Sequence, residues 1–232
     1  MTLTAAQKLF VKPLTAALAA LLLACAAPAW ADDHAQFQQG YTAYQAGNYA
    51  QALRLWQPLA QKGNAEAKFA LGLMYANGRG VAKNYQQAAA WWQKAADQGD
   101  AEAQFNLGLM YDNGWGVAKN YQQAAAWYQK AADQGNADAQ YNLGLMYYNG
   151  RGVAQNYRQA AAWYQKAANQ GHAKAQYNLG VMYFNGQGVA RNYRQAAAWY
   201  KKVLAQPDTP ENAEAKALAR ENLQGLSKRG VR

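Results

Sequence analysis

The sequence is 232 residues long, 51% apolar, with one cysteine and 23 basic against 13 acidic side chains, a formal charge of +10. A single cysteine excludes an intramolecular disulfide framework, so stability has to come from packing. The positive balance favours acidic partners or anionic surfaces.

Residues 1–31 read as an export signal and not as part of the fold. Lys8 and Lys12 precede an apolar run over residues 14–24, short for a bilayer span. Ala29-Trp30-Ala31 then places small residues at the spacing of a signal cleavage site, just before Asp32. This predicts an exported chain, periplasmic or secreted after cleavage near Ala31, with no transmembrane helix in the mature form. Leu22-Leu23-Ala24-Cys25 resembles a lipoprotein processing box and carries the alternative, a lipid anchor through Cys25; Pro28 and the Ala-x-Ala site favour plain cleavage. Removal of Lys8 and Lys12 leaves 21 basic against 13 acidic residues, a charge of +8.

Residues 32–64 read as a shortened helical hairpin. Phe37, Gly40, Tyr41 and Tyr44 belong to its first helix, Gly47-Asn48 to the turn, and Tyr49, Ala52, Leu55, Trp56 and Leu59 to its second. Pro58 predicts a kink or an end in that second helix, at a cost of about 3 kcal/mol.

From residue 65 the chain repeats itself every 36 residues. Leu71, Leu107, Leu143 and Leu179 keep that spacing, as do Gly72, Gly108, Gly144 and Gly180, and Trp91, Trp127, Trp163 and Trp199. Such a period means stacked supersecondary units, here 65–100, 101–136, 137–172 and 173–207. Each unit predicts two helices. Ala67, Leu71, Met74 and Tyr75 share one face of the first. Asn64, Asp100 and Asn136 sit at N-cap positions, with Glu66, Glu102 and Asp138 two residues on, near the positive dipole end. His172 followed by Lys174 departs from that pattern. Asn77-Gly78-Arg79-Gly80 ends the helix through residues that tolerate the left-handed region, and Val81 follows as an apolar plug. Asn84 opens the second helix with Gln87 three residues later, a capping-box spacing that returns in every unit. Gly72, Ala88 and Ala95 predict a close approach of the two backbones where they cross, with Tyr75, Tyr85 and Trp91 filling the rest.

Residues 208–232 read as a polar cap. Thr209-Pro210-Glu211 starts a new helix over about 213–226. Arg220 takes the place of Gly72 and Asn222 that of Met74, so no further unit stacks there, and the tail ends basic in Lys228, Arg229 and Arg232.

The pattern A-x-A-x-x-x-L-G-x-M-Y-x-N-G-x-G-V-x-x-N-Y-x-x-A-x-x-W-Y-x-K-A-A-x-x-G, held in four copies from about Ala65 to Leu204, resembles the Sel1-like repeat family. The N-G-x-G-V turn separates it from the related tetratricopeptide repeat, which the shortened unit at 32–64 is closer to. The resemblance implies an all-α fold, a right-handed α-solenoid of stacked helix-turn-helix repeats. It also implies that the first helices line a concave groove used as an adaptor surface, without implying one activity.

Catalytic chemistry finds little to work with. Outside the leader the chain has one serine, Ser227, two threonines, Thr42 and Thr209, and two histidines, His34 and His172. No nucleophile–base pair or Cys/His metal cluster can be assembled from these, so no catalytic residue, metal or cofactor is assigned. Glu66, Glu102 and Asp138 recur at the repeat spacing and read as helix-dipole partners, not as an acid/base pair. Exported relatives that bind or hydrolyse β-lactams set the alternative, a cell-envelope enzyme or peptidoglycan-binding protein, but the repeats contain no serine to acylate. The reading is therefore a non-catalytic scaffold that holds a protein or peptide in its groove.

Groove positions follow from the resemblance. One series reads Phe69, Phe105, Tyr141, Tyr177. A second reads Ala76, Asp112, Tyr148, Phe184 and changes size and charge between near-identical copies, as expected where packing does not dictate the residue. The turn series Arg79, Trp115, Arg151, Gln187 varies as well, and Trp115 puts an indole in an exposed turn. Partner-binding positions are thus Phe69, Phe105, Asp112, Tyr141, Tyr148, Tyr177 and Phe184, with Trp115 beside them. Arg158, Arg191 and Arg194 favour an acidic peptide in the carboxy-terminal half, with an anionic envelope polymer as second candidate; an export signal argues against nucleic acid.

Overall fold

The computed structural model describes residues 29–231. Most of the export signal, with Lys8, Lys12, Cys25 and Pro28, lies outside the described residues. Among the described residues there are eleven helices and no strand: α1 (Ala29–Gln45), α2 (Tyr49–Gln61), α3 (Ala65–Asn77), α4 (Tyr85–Ala96), α5 (Ala101–Asn113), α6 (Tyr121–Asp133), α7 (Ala137–Asn149), α8 (Tyr157–Asn169), α9 (Ala173–Asn185), α10 (Tyr193–Leu204) and α11 (Pro210–Lys228). Each odd helix packs on the even helix that follows, and each even helix on the next odd one. The result is the expected all-α solenoid of helix-turn-helix units.

Helix ends follow the sequence closely. Asn64, Asp100 and Asn136 each accept the backbone N–H three residues on, at 2.7–2.8 Å. His172 does the same through Nδ1, at 3.1 Å from Ala175 N, so the apparent exception is an imidazole cap. Asn84, Asn120, Asn156 and Asn192 accept from Gln87, Gln123, Gln159 and Gln195. The reciprocal half of the expected capping box is absent. The N–H of Asn84 instead donates to Tyr75 O at 2.9 Å, tying the second helix to the end of the first, and Asn120, Asn156 and Asn192 do likewise. Pro58 neither ends nor shortens α2, which runs on to Gln61. The helix continues for three residues past it without the bond that an N–H at residue 58 would give Arg54 O.

The crossing of the two helices differs from the expectation. It is not backbone against backbone: an aromatic ring from the second helix lies on the glycine of the first. A Cβ at Gly72 would fall 2.3 Å from Trp92 Nε1, at Gly108 2.4 Å from Tyr128 Cδ1, and at Gly144 and Gly180 2.6 Å from Tyr164 and Tyr200. Trp56 covers Gly40 in the same way. At the crossing the filling ring is therefore the second aromatic of each W-W or W-Y pair, while Tyr75, Tyr85 and Trp91 pack against the core clusters as expected. Trp92 also donates Nε1–H to Phe69 O at 3.1 Å, so the buried indole keeps a partner. Burial pushes the hydroxyls of Tyr128, Tyr164 and Tyr200 well above the usual tyrosine range.

No unit buries all of its apolar surface by itself. One core cluster joins Ala88, Trp92 and Ala95 of α4 to Ala103, Leu107 and Met110 of α5, and Trp127 of α6 closes it. The same arrangement recurs along the chain. Two polar devices reinforce it. Gln104, Gln140 and Gln176 are buried, and their side-chain amides donate to Ala96 O, Ala132 O and Ala168 O, the carbonyls that end the previous helices. The second glycine of each N-G-x-G turn touches the previous unit: at φ +72°, a Cβ on Gly152 would lie 2.2 Å from Tyr121 O. Left-handed geometry and a backbone contact thus both require glycine there.

The far end closes as a cap, with corrections of detail. α11 begins at Pro210, earlier than expected, and Thr209 makes no side-chain capping bond. Ala215, Ala219 and Leu226 of α11 are buried against α9 and α10. Lys216 occupies the place of the buried glutamines, and its ammonium donates to Gln206 O.

Seating a ring on glycine gives a direct stability test. Gly144→Ala should cost about 1–3 kcal/mol in urea unfolding, because Tyr164 cannot retreat from a close-packed interior. Gly225→Ala in α11, with nothing within 4 Å of the added Cβ, should instead stabilise by roughly 0.5–1 kcal/mol.

Candidate docking surface

The solenoid order sets all the first helices on one side. Clefts follow that side along its length. The first, about 240 Å³, is walled by α1, α2 and α3 and closed by the start of α5. A wider one of about 390 Å³ lies between α5, α7, α9 and the start of α11. A third, about 170 Å³, continues it between α7, α9 and α11.

The aromatic series Phe69, Phe105, Tyr141, Tyr177 lines these clefts. Each ring is half-buried and tilts against the glycine-covering ring of its own unit: Phe69 on Trp92 at 6.4 Å, Phe105 on Tyr128, Tyr141 on Tyr164 and Tyr177 on Tyr200 at 5.8–5.9 Å. One face of every ring therefore supports the fold while the other borders the surface. Tyr141 additionally stacks on His172 at 4.6 Å.

The second series has a packing partner that the sequence reading did not foresee. Asp112 pairs with Arg151, the turn residue of the next unit. Tyr148 donates its hydroxyl to Gln187 at 3.2 Å, again the next turn. In the shortened unit Tyr44 holds the corresponding place: its hydroxyl accepts from Arg79 at 2.8 Å, and the Arg79 guanidinium lies 5.3 Å from its ring. Phe184, with no further turn to meet, packs on Tyr193 and under Arg229. Trp115 faces Ala76's unit and stacks on Tyr85 at 5.9 Å, leaving the indole 45% exposed. The two variable series thus change together. Variation at these positions reflects pairing between neighbours, which corrects the view that packing leaves them free.

Charge along the surface is graded. The first-turn position reads Glu66, Glu102, Asp138, Lys174 from one end to the other. His172 Nε2 lies 3.2 Å from Asp138 Oδ1, and the hydrogen bond from His172 holds the Asp138 carboxyl below the usual range. Burial, then the charges of Asp138 and Asp100, push the Glu102 carboxyl up, against a hydrogen bond accepted from Asn136. Among the described residues no three His, Cys, Asp or Glu side chains converge as a metal site, and no helix is long and apolar enough to cross a membrane. Sequence reasoning overlooked Tyr41, Tyr44, Glu66, Asp100 and Glu102 as surface-lining residues. Aligning Gly40 with Gly72 would have shown Tyr41 and Tyr44 standing where later units carry Leu73 and Ala76.

Pairing of the variable series is testable by charge reversal. Asp112→Arg and Arg151→Asp should each lower stability by up to about 1 kcal/mol, the range of partly exposed pairs, and the double reversal should recover most of it.

The profile of the Sel1 repeat matches residues 35–64, 65–100, 101–136, 137–172 and 173–206. A comparison with curated proteins gives no match. Among solved structures, a protective antigen of uropathogenic Escherichia coli with an SLR fold is 36% identical with a TM-score of 0.77; the match covers 86% of this chain but only 42% of the antigen. A Sel1 repeat protein from Oxalobacter formigenes is 32% identical over 80% of this chain and 85% of its own, with a TM-score of 0.70. Sel1 repeat proteins are typically protein-interaction scaffolds. Five matched repeats and two similar folds above 30% identity lead to one conclusion: the chain belongs to the Sel1 repeat family.

Proposed function

We propose that this protein is an exported, non-catalytic scaffold that holds a protein or peptide partner along the face formed by its first helices. The observation that carries the reading is the line of clefts on that face, bordered by Phe69 in the first, by Phe105 and Tyr141 in the second and by Tyr141 and Tyr177 in the third. Half-exposed rings held rigidly from behind contribute contact area at low entropic cost, the property of interface anchors. Asp112, Tyr148 and Phe184 serve this surface indirectly, by holding neighbouring units and the cap in register. Trp115 adds an exposed indole at the turn edge.

Support for export comes from Lys8, Lys12, the apolar run and Ala29-Trp30-Ala31. Cleavage after Ala31 would shorten α1 by three residues and leave Asp32 at its new start, an acidic group favoured at a helix amino terminus. Mass spectrometry of protein recovered from the producing cell should give a chain starting at Asp32; a start at acylated Cys25 would replace this with a lipid anchor.

The docking face is tested by capture. Immobilised protein carrying Tyr141→Ala and Tyr177→Ala should retain roughly tenfold less of its envelope partner than the parent, with a helical circular dichroism spectrum. Ala126→Glu with Ala162→Glu, on the exposed side of the second helices, should leave capture unchanged. Equal capture by the tyrosine variant would remove the face from the account.

A further inference from the structure

The cleft at the amino-terminal end differs from the rest of the surface. Its walls are aromatic: Phe37 and Tyr44 pack on Trp56 with centroids 5.7 and 5.5 Å away, Tyr41 is 47% exposed, and Phe69 enters from α3. Its rim is acidic, from Glu66, Asp100 and Glu102. At about 240 Å³ it falls below the roughly 300–1,000 Å³ of sites that enclose a whole small molecule, and is sized for one long side chain.

No basic side chain lines it. Lys62 is engaged on Asp33 at 3.0 Å and Lys68 on Gln98 Oε1 at 2.7 Å and Gly63 O at 3.2 Å, while Arg79 lies on Tyr44 and leaves Phe37, Tyr41, Trp56 and Phe69 to the cleft. Asp100 spends one oxygen on Ala103 N and Glu102 one on Asn136 Nδ2, which leaves acceptor capacity on both. Burial, and after it the charges of Asp138 and Asp100, push the Glu102 carboxyl up. Helix-dipole stabilisation accounts for carboxylates in the first turns of α3 and α5. It does not account for five aromatic rings gathered beside them; in the place of Tyr41 the later units carry Leu73, Leu109, Leu145 and Val181, and Lys174 stands in the place of Glu66.

Aromatic faces below and carboxylates above form the complement of a guanidinium, which stacks on rings through its plane and accepts no substitute for bidentate contact with carboxylates. We propose that this cleft is the anchor site for an arginine side chain of the protein partner. The assignment rests on the docking role of the first-helix face and adds polarity to it: the bound segment places its basic residue at the α1–α3 end.

The test titrates the full chain with acetyl-Ala-Leu-Arg-Leu-Ala-amide, followed by calorimetry and amide chemical shifts. The arginine peptide should bind roughly tenfold tighter than the same peptide with citrulline or leucine in place of arginine, by a margin that shrinks with added salt, and should shift amides around Tyr41 and Phe69. Glu66→Gln with Glu102→Gln should abolish the preference, and Tyr41→Ala should weaken binding of the arginine peptide. Equal binding of the arginine, citrulline and leucine peptides would reduce the site to an apolar cleft and overturn the proposal, as would no measurable binding of the arginine peptide. The Tyr141→Ala, Tyr177→Ala protein should bind the peptide as the parent does. If it does not, the peptide sits elsewhere on the face: the pocket assignment falls while the docking role survives. Loss of the docking role shows separately, as undiminished capture of the partner by that same variant.

Discussion

A ring pressed onto a glycine is the contact that everything else in this molecule inherits. Trp56, Trp92, Tyr128, Tyr164 and Tyr200 each lie where a Cβ on the facing helix would stand, so the two helices of a unit have one separation and one angle available to them. Fixing that geometry five times over makes the units interchangeable as solids. Interchangeable units with an unburied apolar flank can only stack, and here the flank of α4 finds α5, and that of α6 finds α7.

The surface is a by-product of that regularity. Because the orientation of each unit is fixed by its predecessor, residues at one repeat position form a line, and a series such as Glu66, Glu102, Asp138, Lys174 becomes a gradient in space. The glycine turn contributes equally. It brings residues 79, 115, 151 and 187 back onto the preceding unit, where Arg79 meets Tyr44, Arg151 meets Asp112 and Gln187 meets Tyr148. These junctions use a cation on a ring, an ion pair and a neutral hydrogen bond in turn. Units nearly identical elsewhere therefore carry different connectors, which disfavours stacking out of order.

The architecture was legible because a period of 36 residues admits few structures, and caps, turns and core positions recur with it. What escaped was pairing across units. A single repeat shows Asp112 or Tyr148 as an unconstrained position; the constraint appears only when the turn of the following unit is brought alongside. The choice between Trp91 and Trp92 as the buried ring was hidden for a related reason. Both recur with the period, and only the crossing geometry decides which faces Gly72. His172 looked like a lapse in the N-cap series because imidazole is an uncommon cap, although Nδ1 accepts the same N–H. Along the clefts of the first-helix face, the positions of Phe69, Phe105, Tyr141 and Tyr177 could be read from the repeat, whereas the acidic aromatic cleft of the shortened unit was obscured by its offset from the later ones.

The claim on which the functional account turns is that partners meet the first helices and not the second. Site-specific photo-crosslinking in the producing cell addresses it most directly, with a photoreactive phenylalanine placed in turn at residues 141 and 177 on the first helices and at residues 126 and 162 on the second. The account predicts a discrete protein adduct from the first pair and none from the second. Adducts formed from residues 126 and 162 alone would contradict it.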